Sequence, residues 1–150
     1  MNRVRRYSGE NFLHPALIKH SRKFPLKVMI WSCFSNEGLG KIHICKGNMD
    51  TRAYIETLEL NLFQSAEKMG LQEFLFIDDS APCHRSKAVK EWIHENKISQ
   101  ISWPGNSPDL NPIENLWAIL KHRVRRKPNT TKQQLLENIK NFWENDISIL

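Results

Sequence analysis

Phe74-Leu75-Phe76-Ile77-Asp78-Asp79 is the stretch on which the reading of this chain turns. Four apolar residues of strand-forming type end abruptly in two carboxylates. A buried strand delivers an acid to the carboxyl edge of a sheet in this way. After Asp79, 34 residues intervene before Glu114, which falls in the first turn of a strongly patterned helix. Two carboxylates brought together by a strand and a helix can hold hard divalent cations, and paired cations are suited to cutting phosphodiesters.

Outward from this stretch, the chain alternates strand and helix patterns. On the N-terminal side, residues 1–27 are basic and broken by Gly9, Pro15 and Pro25, with Val4 to Tyr7 readable as the tail of a strand. Lys27 to Phe34 is a strand by its β-branched and aromatic content, Glu37 to Gly40 a turn, and Lys41 to Cys45 an alternating partner strand. These predict an antiparallel hairpin. Thr51 to Met69 is predicted as a helix, with Asp50 or Thr51 as N-cap, Tyr54, Leu58, Leu62 and Ala66 at helical spacing, and Gly70 at C′.

On the C-terminal side, Pro82 interrupts the chain just after the acids. Ser86 to Asn96 reads as a second helix with Val89, Trp92 and Ile93 on its apolar face, and Ile98 to Trp103 as a short strand. Pro104 to Pro112 is a loop stiffened by three prolines. A third helix starts at Asn111-Pro112 and presents Ile113, Leu116, Trp117 and Leu120. Lys127-Pro128-Asn129 breaks it, and Thr130 to Asn145 is the last helix, with Leu135, Ile139 and Phe142 as its stripe. Trp31, Trp92 and Trp117 sit in apolar patterns and read as core.

A chain of 150 residues accommodates one domain with a real core. No stretch approaches the roughly 18 apolar residues of a membrane span, and no signal peptide opens the chain. The expectation is a soluble protein that makes no membrane contact. The formal charge of +6 fits a polyanionic partner, since clustered Lys and Arg gain affinity by releasing phosphate counterions. Cys33, Cys45 and Cys83 are odd in number and lack Cys-x-x-Cys spacing. That argues against zinc and a disulfide framework, and for reduced thiols inside a cell.

Asp79-Ser80-Ala81-Pro82-Cys83-His84 resembles the Asp-Asn-Ala-Pro-x-His signature of the mariner-superfamily DDE transposases. Trp103-Pro104, followed by Ser107-Pro108-Asp109-Leu110-Asn111-Pro112-Ile113-Glu114-Asn115-Leu116-Trp117, is similar to their third-acid motif almost residue for residue. The interval of 34 residues is the spacing of the branch that ends in glutamate. The similarity runs from about Val4 to the last helix. It implies an α/β fold of RNase H-like type, a mixed sheet flanked by helices. Family members carry the first catalytic aspartate on a central strand upstream of a segment similar to Val4-Arg5-Arg6, so that first, central strand is expected to be missing here. The family's N-terminal helix-turn-helix region is likewise not expected. Residues 1–150 then form a single, N-terminally truncated catalytic domain.

The resemblance implies that Asp79 and Glu114 are catalytic metal ligands for Mg²⁺ or Mn²⁺, in a two-metal site that needs an intact triad. Read as residues alone, Asp79 could equally cap the turn after a strand. Asp78 takes a position where the family has a different polar residue, and with His84 it is assigned to active-site support. His84 is either a group near the scissile phosphate or a surface histidine ordering its loop. Glu114 has a rival role as well. With Asn111 as N-cap and Pro112 at N1, it falls at N3 of a capping box worth roughly 1 kcal/mol. Asp109 is expected to brace the Pro-rich loop.

Lys121, Arg123, Arg125, Arg126 and Lys127 crowd the end of the third helix. They favour the helix dipole, and beyond that they form a phosphate-tracking, DNA-binding surface or a nuclear-import signal. The function implied is metal-dependent cleavage and strand transfer at transposon ends. The partners implied are transposon and target DNA, with a homodimer in the full-length family and a nuclear location. The alternative is a catalytically dead remnant that keeps only nucleic-acid binding.

Overall fold

The computed structural model describes residues 26–79, 81–101, 111–127 and 129–146. The N-terminal basic segment, Ser80, the Trp103 to Leu110 part of the third-acid motif with Asp109, and Pro128 lie outside them.

The hairpin forms, but in two short ladders. Its strands are β1 (Met29–Trp31), β2 (Phe34–Ser35), β3 (Gly38–Leu39) and β4 (His43–Cys45). β2 and β3 pair around the Asn36-Glu37 turn, and β1 pairs antiparallel with β4, Ile30 opposite Ile44. Between the ladders the strands stay joined. The Gly40 N–H donates to the Cys33 carbonyl at 2.9 Å, and the Ser32 hydroxyl donates to the Lys41 carbonyl at 2.8 Å. The strand expected over 27–34 therefore divides at Ser32-Cys33, the one expected over 41–45 begins only at His43, and Gly38-Leu39, expected as turn, is strand.

Gly40 is where the hairpin meets the first helix. A Cβ there would lie 2.7 Å from Cys33 Sγ and 2.8 Å from Ser65 Cβ, so only glycine admits this approach. That helix, α1, spans Thr51–Lys68. Asp50 caps it by accepting the Ala53 N–H at 2.8 Å. It ends in a Schellman turn: Gly70 at positive φ donates to the Glu67 carbonyl, and Leu71 to Ala66.

β5 (Leu75–Phe76), α2 (Lys87–Glu95, N-capped by Ser86) and β6 (Ser99–Gln100) follow, with β5 and β6 parallel. Tyr54, Leu58 and Leu62 of α1, Phe76 of β5, and Val89, Trp92 and Ile93 of α2 form one core, with Trp31 packed against it. The sequence suggested a buried strand. Only Phe76 is buried; Leu75 is 66% and Ile77 43% exposed. One face of β5 rests on the helices, and no described element covers the other.

α3 (Ile113–Arg125) and α4 (Lys132–Asn141) build a second core on the other face of the hairpin. Leu120, Val124, Leu135, Ile139, Phe142 and Trp143 pack with Ile30, Ile42 and Ile44. The alternation of Ile30 and Trp31 thus divides β1 between the two cores. α4 starts later than expected because Thr131 and Gln134 form a reciprocal capping box. The last turn widens to a π-helix over Phe142–Asp146. Trp143, absent from the predicted stripe, is 1% exposed and stacks on Trp117.

The architecture is α/β with antiparallel and parallel pairs. Among the described residues the strands form three two-stranded ladders, and none joins the hairpin to the β5–β6 pair. No described helix is long and apolar enough to cross a membrane.

Candidate active site at the end of the parallel strands

Asp78 and Asp79 leave the carboxyl end of β5 and the chain turns at once towards α2. Successive residues of an extended chain point to opposite sides. Asp78 therefore follows Phe76 inward, and only 16% of its side chain is exposed, whereas Asp79 turns outward with 59% exposed.

Both oxygens of Asp78 are engaged. The Tyr54 hydroxyl donates to Oδ2 at 2.9 Å, and the Gln100 amide donates to Oδ1 at 3.2 Å. Asp79 Oδ1 accepts the Ala81 N–H at 3.2 Å and lies 2.6 Å from His84 Nδ1. An ionised carboxylate carries no proton, so Nδ1 donates across that distance. The imidazole of His84 also stacks on the Tyr54 ring, centroids 3.7 Å apart and planes 22° apart.

The two acids are tuned in opposite directions. Burial pushes the Asp78 carboxyl above the usual range, and the bonds from Tyr54 and Gln100 offset this only in part. The hydrogen bond from His84 holds Asp79 below that range, against its own partial burial. Burial disfavours the His84 cation, but Asp79 and Asp78 outweigh it and the imidazole is more basic than usual. Burial, with the neighbouring Asp78, raises Tyr54 far beyond any titration in water.

Glu114 is exposed in the first turn of α3. The capping box proposed as its rival role is not formed. Pro112 occupies the N-cap position with no side-chain cap bond, and Asn111 Oδ1 reaches only the Ile113 N–H, at 3.4 Å. The early helical turn at Pro112 places Glu114 one position short of N3. No hydrogen bond or ion pair joins Glu114 to Asp78, Asp79 or His84 among the described residues. Those residues also contain no group of three or more His, Cys, Asp or Glu arranged to hold a metal.

Lys121, Arg123, Arg125, Arg126 and Lys127 are all exposed at the end of α3. Lys127 Nζ lies 5.5 Å from the centroid of the Phe142 ring. The three cysteines are free thiols.

The structure thus brings together Asp78, Asp79 and His84, and adds two residues the sequence did not reveal. Tyr54 was legible only as a core position, although a buried tyrosine hydroxyl usually requires a partner. Gln100 lies on a strand too short for its side chain to be assigned to a face.

The model of the DDE superfamily endonucleases matches residues 7–137. The Tcb2 transposable-element transposase of Caenorhabditis briggsae is 32% identical over 117 residues, 78% of this chain and 43% of that protein. The Tc3 transposase of Caenorhabditis elegans is 34% identical over 119 residues, 78% of this chain and 36% of that protein. The chain spans less than half the length of these curated relatives. Among solved structures, the Mos1 transposase catalytic domain with Raltegravir and Mg superposes with a TM-score of 0.68 at 17% identity, covering 79% of this chain and 63% of that one. The Mos1 paired-end complex with the left transposon end gives 0.74 at 18% identity, covering 96% and 44%.

Proposed function

The chain belongs to the DDE superfamily endonucleases, as a mariner-type transposase catalytic domain, and on that basis we propose that it is the C-terminal part of a metal-dependent DNA-cleaving and strand-transfer domain acting at transposon ends. The observation that carries this reading is the division of labour between the adjacent acids. Asp78 is buried and saturated with hydrogen bonds, whereas Asp79 is exposed, kept ionised, and oriented by a histidine.

Asp79 and Glu114 are the residues proposed to hold Mg²⁺ or Mn²⁺. Their chemistry fits such an ion: both are hard oxygen donors, Asp79 is held in its charged form, and Glu114 is not consumed by a helix cap. When bound, the cations supply an activated water and charge stabilisation for the displaced oxygen. The third carboxylate belongs, in this reading, to a central strand. Among the described residues no strand joins the hairpin to the β5–β6 ladder, and the reading assigns that joining position to the central strand.

The protein's own work is to fix the two acids and to dock the phosphate backbone. His84 orients Asp79 and neutralises part of the acid pair's mutual repulsion. The basic end of α3 tracks duplex phosphates, and transposon-end DNA is the partner proposed, in line with the Mos1 complex. A nuclear location follows from that substrate.

The test is Mn²⁺- or Mg²⁺-dependent nicking of supercoiled DNA by this chain joined to its upstream sequence. The activity disappears in Asp79→Ala. Nicking that survives this substitution removes Asp79 from the site. Salt-sensitive duplex binding with no nicking at all reduces the function to nucleic-acid binding.

A further inference from the structure

We propose that Tyr54 is a positioning residue for the Asp79 carboxylate, acting through His84: its ring holds the imidazole in place, and its hydroxyl keeps Asp78 from competing for the imidazole proton. Two carboxylates lie within ion-pair distance of the same donor. His84 Nδ1 is 2.6 Å from Asp79 Oδ1, 3.2 Å from the Asp79 carbonyl oxygen and 4.0 Å from Asp78 Oδ2. Which acid receives the proton is decided by what else each acid binds.

Asp78 Oδ2 takes the Tyr54 hydroxyl at 2.9 Å, and Oδ1 takes Gln100. Among the described residues Asp79 accepts the Ala81 N–H on Oδ1, and its remaining capacity faces His84 and solvent. The stack at 3.7 Å fixes the plane of the imidazole, and a fixed plane keeps Nδ1 directed at Asp79, whose Oδ1 and carbonyl oxygen both lie at hydrogen-bond distance. Tyr54 is fully buried on an 18-residue helix capped at both ends, so the platform is rigid. Partners that orient a ligating carboxylate from behind set metal affinity by roughly 10- to 100-fold.

The metal arm of this inference rests on the role proposed for Asp79; the geometric arm does not. In the wild-type chain, proton NMR should show the His84 ring protons shifted upfield by the Tyr54 ring current, and nitrogen NMR should show Nδ1 protonated. Tyr54→Phe keeps the upfield shift, moves the Nδ1 resonance as Asp78 competes, and weakens Mn²⁺ binding several-fold by titration calorimetry. Adding Asp78→Asn to Tyr54→Phe restores both readings, which a merely structural role would not do. Tyr54→Leu abolishes the upfield shift and weakens Mn²⁺ binding by about tenfold or more. His84 ring protons at the positions of free histidine in the wild type overturn the proposal. So does a Tyr54→Phe variant with unaltered Nδ1 resonance. Wild-type protein that binds no Mn²⁺ while the NMR pattern holds refutes the metal reading alone.

Discussion

The indole N–H of Trp143 donates to the carbonyl of Gly40 at 3.0 Å, in the protein interior and across 103 residues of chain. On its other side Gly40 rests against Cys33 and Ser65, and its neighbour Lys41 donates an N–H to the Ser65 hydroxyl at 2.9 Å. One glycine therefore fastens the hairpin to α1 and to the C-terminal π-turn. Gly40→Ala forces a methyl group to within 3.0 Å of the half-buried Cys33 and the buried Ser65. The expected loss is about 1–3 kcal/mol. Trp143→Phe leaves the carbonyl, among the described residues, with the distant Lys68 ammonium at 3.5 Å and costs a similar amount. Urea unfolding midpoints of both variants measure this.

The Asp79–His84 pair gives stability a distinct pH dependence in metal-free buffer. Asp79 has a depressed carboxyl pKa, so its contribution is present above the unfolded value of about 3.9 and is lost as pH falls through the lower folded value. The pKa of His84 is raised, so its contribution is complete below the unfolded value of about 6.5 and is lost as pH rises through the higher folded one. The pair therefore contributes most between those limits. A thermal melt should be higher at mildly acidic pH than at mildly alkaline pH, and the difference should shrink in His84→Gln. An unchanged difference in that variant counts against the coupling.

Asp78 and Asp79 should respond oppositely to neutralisation. Asp78 is raised by burial, so its ionisation opposes folding at neutral pH, and Asp78→Asn keeps an acceptor for Tyr54 while removing the charge. Its stability without metal should equal or exceed that of the wild type. Asp79→Asn loses the ion pair to His84. Because Asp79 is largely exposed, that loss is only about 0.5–1 kcal/mol. Denaturant titration of the two variants side by side provides the comparison.

The logarithm of duplex DNA affinity should fall linearly with the logarithm of salt concentration. Replacing Lys121, Arg125 and Arg126 with Ala should lower the magnitude of that slope by roughly one for each phosphate left without its cation, with little change in melting temperature. Lys127 is different because its ammonium sits over Phe142, so Lys127→Ala should also reduce stability. Fluorescence anisotropy at several salt concentrations reports the slope, and a thermal melt reports the Lys127 effect. An unaltered slope in the triple variant places the DNA elsewhere.

Much of the fold was legible because periodicity is a local property. The stripe Tyr54, Leu58, Leu62 marked α1, the break at Gly70 marked its end, and Val89, Trp92 and Ile93 marked α2. Strand lengths were not legible. Hydrogen-bond continuity depends on neighbours in space, and the ladders stop after two or three residues where no described strand extends them. The Glu114 cap misled for a related reason: Asn-x-x-Glu specifies a capping box only if the helix starts where the asparagine sits, and the helical turn at Pro112 shifted that start. Within the site, the acids and His84 could be picked out as a motif. Tyr54 could not, since the packing of α1 and the bond to Asp78 use opposite ends of one side chain.

The two hydrophobic cores have a mechanical consequence. Asp79 emerges from the strand embedded in one core, and Glu114 opens the helix embedded in the other. Neither acid is braced against the other directly, so the span between them is set by how the cores are clamped, and the Gly40 joint is part of that clamp. In the proposed metal site, the carboxylate pair would work like the jaws of a calliper whose pivot is a glycine distant in sequence from both acids. Loosening that pivot should broaden the jaw gap, so that selectivity between a smaller and a larger divalent ion erodes before the fold does.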